Sequence, residues 1–341
     1  MAKQVLETIR RPRTDGQAVW GPLNGLTGYM ALPIAHRRGL FQLLEGKRLS
    51  AAEIGDALAL QPRSVGALLS ALTSLGLLEL VDERYGLTVE AEEYLLESSP
   101  VYLGPIIDLE VAGGMYSFAT LDNAVSTGSP QLPSADFATF EEQVERARAF
   151  TRAMHGISVA PALFWPELVD LAGDLVLLDV AGGSGAHSIG ACLRWPQLRA
   201  VVLDLPPVCD VADEFVAAQG LGERITTHRA DMWDVPFPQA DVHFYSNILH
   251  DWPPEKGRFL VEKSFAALGS GGRILLHEAL FDDDKTGPFP IAGFNMVILA
   301  ATEGQQYSGR ELTEMLIGAG FADVRITPAF QKYSVIEARR P

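Results

Sequence analysis

The chain has 341 residues, 48% of them hydrophobic and 21% charged, with a formal net charge of −16. The length points to two domains, and no apolar run approaches the roughly 20 residues a bilayer span needs. The acidic balance opposes polyanionic partners, because phosphate neutralisation by Lys and Arg supplies most nonspecific affinity for nucleic acid.

The N-terminal stretch MAKQVLETIRRPRTDG lacks the apolar segment of a secretory leader, so a cytoplasmic location is expected. The two cysteines, Cys192 and Cys209, form neither a CxxC pair nor a disulfide framework and read as packing residues.

Residues 28–96 carry a helical pattern. Ser50 with Glu53 three residues on is a capping box opening one helix. Pro62 suits the start of the next, whose buried face is Val65, Leu68, Leu69, Leu72 and Leu75. Gly76 ends it, and LLELV and YGLTV, turning at residues 82–84, read as a hairpin that completes a winged helix. Residues 102–165 are mostly helical, interrupted by a Gly, Pro and Ser-rich loop at 126–137.

Beyond Trp165 short apolar strands alternate with helices: LVLLDV, AVVLDL, RITTHRAD, DVHFYSN and GRILLHEAL. Such spacing implies βαβ units in a parallel sheet covered on both faces, and residues 324–327 and 333–338 fit an edge hairpin. This doubly wound α/β pattern places its ligands beyond the carboxyl ends of the strands.

Four features fall at those ends. DVAGGSGAH, starting at Asp179, is a glycine-rich turn where missing side chains let a ligand approach the backbone. Asp204 follows Gly185 by nineteen residues, where a carboxylate can accept from both ribose hydroxyls or serve as a helix N-cap. A dinucleotide motif would want a third glycine where Ser188 stands, which argues against NAD.

In RADMWDVPFP, Asp231 can take an adenine amino group, and Met232 and Trp233 offer apolar faces to a ring or to the core. YSNILHDWPPEK brings Ser246 and His250 to the sheet edge, with Asp251 and the two prolines opening the next helix. Glu278 ends the following strand 28 residues after His250, within reach of its imidazole, whereas His277 points to the opposite face. Metal binding by His250, Glu278, His277 and residues 282–284 has no ligand-spacing motif behind it.

These motifs resemble the plant-type small-molecule O-methyltransferases, which include caffeic acid, hydroxyindole and bacterial polyketide O-methyltransferases. The likeness is carried by DVAGGSG, LDLPPV, ADMWD, NILHDWPPEK and GRELTEMLIGAGF, with AVSTGSP and FTRAMHGIS upstream.

The resemblance implies an S-adenosylmethionine-dependent enzyme with a doubly wound Rossmann-like catalytic domain preceded by a mainly helical winged-helix dimerisation domain. Its domains would be residues 1–100 for dimerisation, 101–165 as a helical linker to the substrate pocket, and 166–341 for cofactor binding and catalysis. Family members form homodimers in which the winged helix closes the partner's site.

By the same resemblance the cofactor is held by Met154, Ser158, Gly182, Gly183, Asp204, Leu205, Asp231, Met232 and Ser246. His250 would be the base, Glu278 its partner and Asp251 a further catalytic residue. Met115, Phe118, Phe150, Trp165 and Phe294 are candidate walls for the acceptor, and FNMVILAATEGQQYS, similar to hydroxyindole-type members, adds Asn295. The chain departs from the pattern at Ala181, usually glycine, at Ser246, lysine in plant members, and at Gln306, where a second glutamate is expected.

The expected reaction is methylation of a hydroxyl on a small aromatic molecule, with no metal, nucleic acid or membrane involved. Two alternatives stay open: methylation of a carbon beside a carbonyl, as in an α-keto acid, and a noncatalytic winged-helix regulator that binds S-adenosylmethionine. The regulator would want a basic recognition helix, yet residues 61–75 carry only Arg63.

Overall fold

The computed structural model describes residues 12–113, 117–131 and 140–341. The chain divides into two compact units, Met1–Ser99 and Pro100–Pro341.

The first unit contains α1 (Gln17–Arg37), α2 (Leu40–Leu44), α3 (Ala51–Leu58), α4 (Pro62–Ser74), the hairpin β1 (Leu78–Val81) and β2 (Arg84–Leu87), and α5 (Val89–Leu95). The capping box at α3 is formed in both directions between Ser50 and Glu53, and α4 starts on Pro62. Val65, Leu69 and Leu72 are buried, as the helical spacing predicts, but Leu75 is 48% exposed. Leu75 is the residue on which α4 ends, so it leaves the buried stripe. Asp82 and Glu83 both take positive φ, the two-residue turn whose twist matches a hairpin.

In the second unit α6 (Gly104–Gly113), α7 (Phe118–Thr127) and α8 (Phe140–Phe164) precede the sheet. Helix α7 runs through Thr127 and stops at Gly128, φ 64°, so it takes the first residues of the expected loop. Residues 132–137 of that loop lie outside the described residues.

The sheet then alternates with helices: β3 (Val176–Val180), α9 (Ala186–Arg194), β4 (Arg199–Asp204), α10 (Pro206–Ala218), β5 (Ile225–Arg229), β6 (Val242–Ser246), α11 (Pro254–Ala267) and β7 (Arg273–Ala279). Helices α12 (Phe289–Ala301) and α13 (Gly309–Gly318) and strands β8 (Ala322–Pro328) and β9 (Tyr333–Arg339) complete it. The order is β5-β4-β3-β6-β7-β9-β8, with the first five parallel and β9 antiparallel to both neighbours. The predicted hairpin is present, and β9 joins it to the sheet by pairing with β7.

Two apolar cores cover the two faces. Leu178, Val180, Tyr245 and Leu276 belong to one and Leu177, Phe244 and Leu275 to the other, the alternation that a two-residue strand period produces. Cys192 and Cys209 are buried and free, and burial pushes their thiols up to about 11 and about 12. No helix among the described residues is long and apolar enough to cross a membrane.

Candidate active site

The reversal of strand order between β3 and β6 opens a crevice at the carboxyl ends of the strands, where an open α/β sheet takes its ligand. The glycine turn after β3 is tightly built. A Cβ on Gly182 would lie 2.6 Å from the Asp179 carboxyl carbon, so only glycine lets this turn close over that side chain. Asp179 is fully enclosed, accepts a hydrogen bond from the Ser188 hydroxyl at 2.8 Å, and burial pushes its carboxyl up to about 7. Ala181 sits at φ 52°, the left-handed region in which glycine is at ease.

Asp204 does not cap α10, whose N-cap is Leu205 without a side-chain bond. Its Oδ2 accepts from the Gly183 amide at 2.9 Å and its Oδ1 from the Leu205 amide at 2.7 Å. Burial raises this carboxyl while the two amides pull it down. The carboxylate therefore stands at the glycine turn, tied to it and to the start of α10 by one amide each.

Asp231 Oδ1 accepts from the Trp233 amide at 2.9 Å, Met232 is buried in the core, and Trp233 packs edge-on against Trp252 at 5.0 Å. From α11, Lys263 donates to the carbonyls of Met232 and Trp233 and fixes this turn, a role no sequence motif announces. Met154 and Ser158 are half-buried on α8. Their neighbour His155 ties that helix to the glycine turn through a 2.8 Å contact between Nδ1 and the Ser184 hydroxyl, and stacks on Phe215 at 3.5 Å. Burial lowers His155 to about 4, so it is neutral near pH 7.

Ser246 contacts His277 Nδ1 at 2.9 Å. His277 does face away from Glu278, as the strand period requires, but it reaches the end of β6 and holds the Ser246 hydroxyl. Burial lowers it to about 3.

His250 lies on a 3-10 turn, Leu249–Asp251, after β6 and is 4% exposed. Its Nδ1 is 2.9 Å from Glu278 Oε2, and Glu278 Oε1 accepts the Ile248 and Leu249 amides at 3.2 Å each. One carboxylate thus fixes both the turn and the ring. Because Nδ1–H donates to Glu278, Nε2 is left with its lone pair, and Asp251 Oδ1 is 3.6 Å from it.

Burial disfavours the charged ring, yet Glu278 and then Asp251 outweigh it and hold His250 above its ordinary pKa, with Lys332 opposing. Burial pushes Asp251 itself up to about 6. Gln306 is buried with Nε2 3.4 Å from His250 Nδ1, and its backbone amide donates to Asn295 Oδ1 at 2.8 Å. Phe294 meets the imidazole edge-on at 5.9 Å.

The other expected walls are not gathered there. Trp165 is fully buried and stacked on Phe244 at 4.4 Å in the core, a correction to its expected place in the pocket. The turn after α8 tucks this large ring under the sheet, where its apolar area is best removed from water. Phe118 and Phe150 are 83% and 51% exposed, with no ring contact to His250 or Phe294. Met115 lies outside the described residues.

Sequence reasoning also missed Gly304. A Cβ there would meet the His250 carbonyl oxygen at 2.1 Å and the Trp252 nitrogen at 2.5 Å, so this glycine lets the chain pass directly behind the turn that carries His250.

A carboxylate held at a glycine turn and a carboxylate-backed histidine two strand ends away, at the crevice of an open α/β sheet, are the arrangement of a nucleotide-cofactor enzyme. Residues 118–322 match the family model of the O-methyltransferase domain. The chain is 37% identical to 3-hydroxy-5-methyl-1-naphthoate 3-O-methyltransferase of Streptomyces sahachiroi, covering 88% of each. It is 31% identical to the tetracenomycin polyketide synthesis 8-O-methyl transferase of Streptomyces glaucescens, over 92% of this chain and 94% of that one. A crystal structure of human N-acetylserotonin methyltransferase in complex with S-adenosylmethionine superposes with a TM-score of 0.84, at 24% identity, over 97% of this chain and 99% of that chain. The chain belongs to the O-methyltransferase family.

Proposed function

We propose that this protein transfers a methyl group from S-adenosylmethionine to a hydroxyl of a small aromatic acceptor, with His250 as general base. The observation that carries this reading is the buried His250–Glu278 pair, 2.9 Å apart, which leaves Nε2 free to accept a proton. The relatives named above for a naphthoate and a tetracenomycin polyketide support an aromatic acceptor.

The residues present fit the cofactor. Gly182 and Gly183 leave the turn open to the methionine part, Asp204 and Leu205 would hold the ribose, and Asp231 and Met232 the adenine. Met154, Ser158 and Ser246 would line the remainder. When bound, S-adenosylmethionine supplies an electrophilic sulfonium methyl.

The protein's own part is to orient the acceptor and remove its proton. A phenol, with a pKa of about 10, gives its proton to Nε2 of His250, and Glu278 stabilises the imidazolium that forms. Asp251 stands beside that nitrogen, and Phe294 with Asn295 borders the acceptor. The test is methyl transfer to a panel of phenols by the wild type and by His250→Ala, alongside calorimetric binding of S-adenosylhomocysteine to both.

The protein acts as a cytoplasmic homodimer. Helix α1 exposes Trp20, Leu23, Leu26, Met30 and Ile34, an apolar series that a second copy would cover.

A further inference from the structure

Lys332 is the last residue before β9, and its Nζ lies 4.7 Å from the centre of the Phe294 ring and 5.8 Å from that of Tyr333. Phe294 is the ring that meets His250 edge-on. One aromatic side chain therefore has both the base and a cation as neighbours. The charge of Lys332 is felt at the imidazole, where it opposes protonation.

Among the described residues the Lys332 ammonium makes no ion pair or hydrogen bond. That is notable in a chain with 43 acidic and 27 basic residues, where Lys256 pairs with Glu303 and Lys285 with Glu311. Glu110 on α6 attracts it only from a distance. The surroundings of His250 are otherwise acidic, with Glu278 and Asp251 on its two nitrogens. Such a site repels an anionic acceptor unless a cation compensates, and an unpaired ammonium beside the aromatic wall supplies that compensation.

We propose that Lys332 recognises an anionic group on the acceptor, and that the acceptor is an aromatic acid. Its ring lies against Phe294, its hydroxyl reaches Nε2 of His250, and its carboxylate is held by the Lys332 ammonium. This rests on the reading of His250 as the base for an aromatic hydroxyl and adds the chemistry of the rest of the acceptor. The residue acts on specificity: the ammonium holds the acid and takes no proton.

The test uses the full chain with S-adenosylmethionine and a set of hydroxynaphthoic acids, each paired with its methyl ester, so that charge changes while the ring does not. The wild type is expected to favour the acids in kcat/KM by on the order of tenfold or more, as a charge-assisted hydrogen bond allows. In Lys332→Met the acid-to-ester ratio falls toward one, chiefly through a higher KM for the acids, and Lys332→Arg restores most of it. Calorimetric titration of the acids into protein saturated with S-adenosylhomocysteine shows the same loss in Lys332→Met.

Equal use of acids and esters by the wild type, or an undiminished preference in Lys332→Met, overturns the proposal and leaves the methyltransferase reading standing. Methylation of neither acids nor esters by wild-type protein that binds S-adenosylhomocysteine removes the aromatic-hydroxyl reading, and this proposal with it.

Discussion

At the scale of single residues, what matters most is which nitrogen of His250 carries the proton. Glu278 holds Nδ1–H and two backbone amides, so the ring cannot turn and Nε2 keeps the lone pair that the proposed base needs. The base works only when neutral, so kcat/KM falls as pH drops below the pKa of His250, which lies above the ordinary value. Glu278→Gln removes the carboxylate that raises it. The acid limb of the pH–rate profile is then expected to move to lower pH while the plateau falls about a hundredfold, because the imidazolium loses its counter-charge. An unmoved limb would show that Glu278 does not govern the histidine. Gln306, standing where the family pattern has a second glutamate, leaves His250 with a single carboxylate on Nδ1.

At the scale of elements, strand periodicity and motif spacing made most of the site legible. The period of two separates His277 from Glu278 on β7, and the glycine-rich stretch at Asp179 marks the turn into α9. What stayed hidden depends on contacts between segments far apart in the chain. Lys263 reaches the Asp231 turn from α11, His155 reaches Ser184 from α8, and Trp165 swings under the sheet, and no local pattern encodes any of these. Gly304 belongs with them, since its need for glycine comes from the backbone of residues 250–252. Gly304→Ala should push the catalytic turn aside and lower kcat at least about tenfold while S-adenosylhomocysteine binding is retained. Steady-state kinetics with calorimetry checks this, and an unaffected kcat would mean the turn tolerates the displacement.

At the scale of the whole molecule, composition and length pointed to two units and away from nucleic acid, while the acceptor was beyond their reach. In the proposals made above, the choice of acceptor would rest on a few side chains, Phe294 and Lys332 among them, which carry no motif. If a second copy covers the apolar series on α1, as we propose, light scattering is expected to give twice the chain mass at micromolar concentration; a monomer would contradict the homodimer. The most direct test of the central claim is the rate of methyl transfer by His250→Ala at saturating S-adenosylmethionine, with the affinity for S-adenosylhomocysteine as the control for folding. With His250 as the base, the rate is expected to be at least about a hundredfold below wild type with that affinity preserved; near-wild-type transfer by the variant would contradict that role.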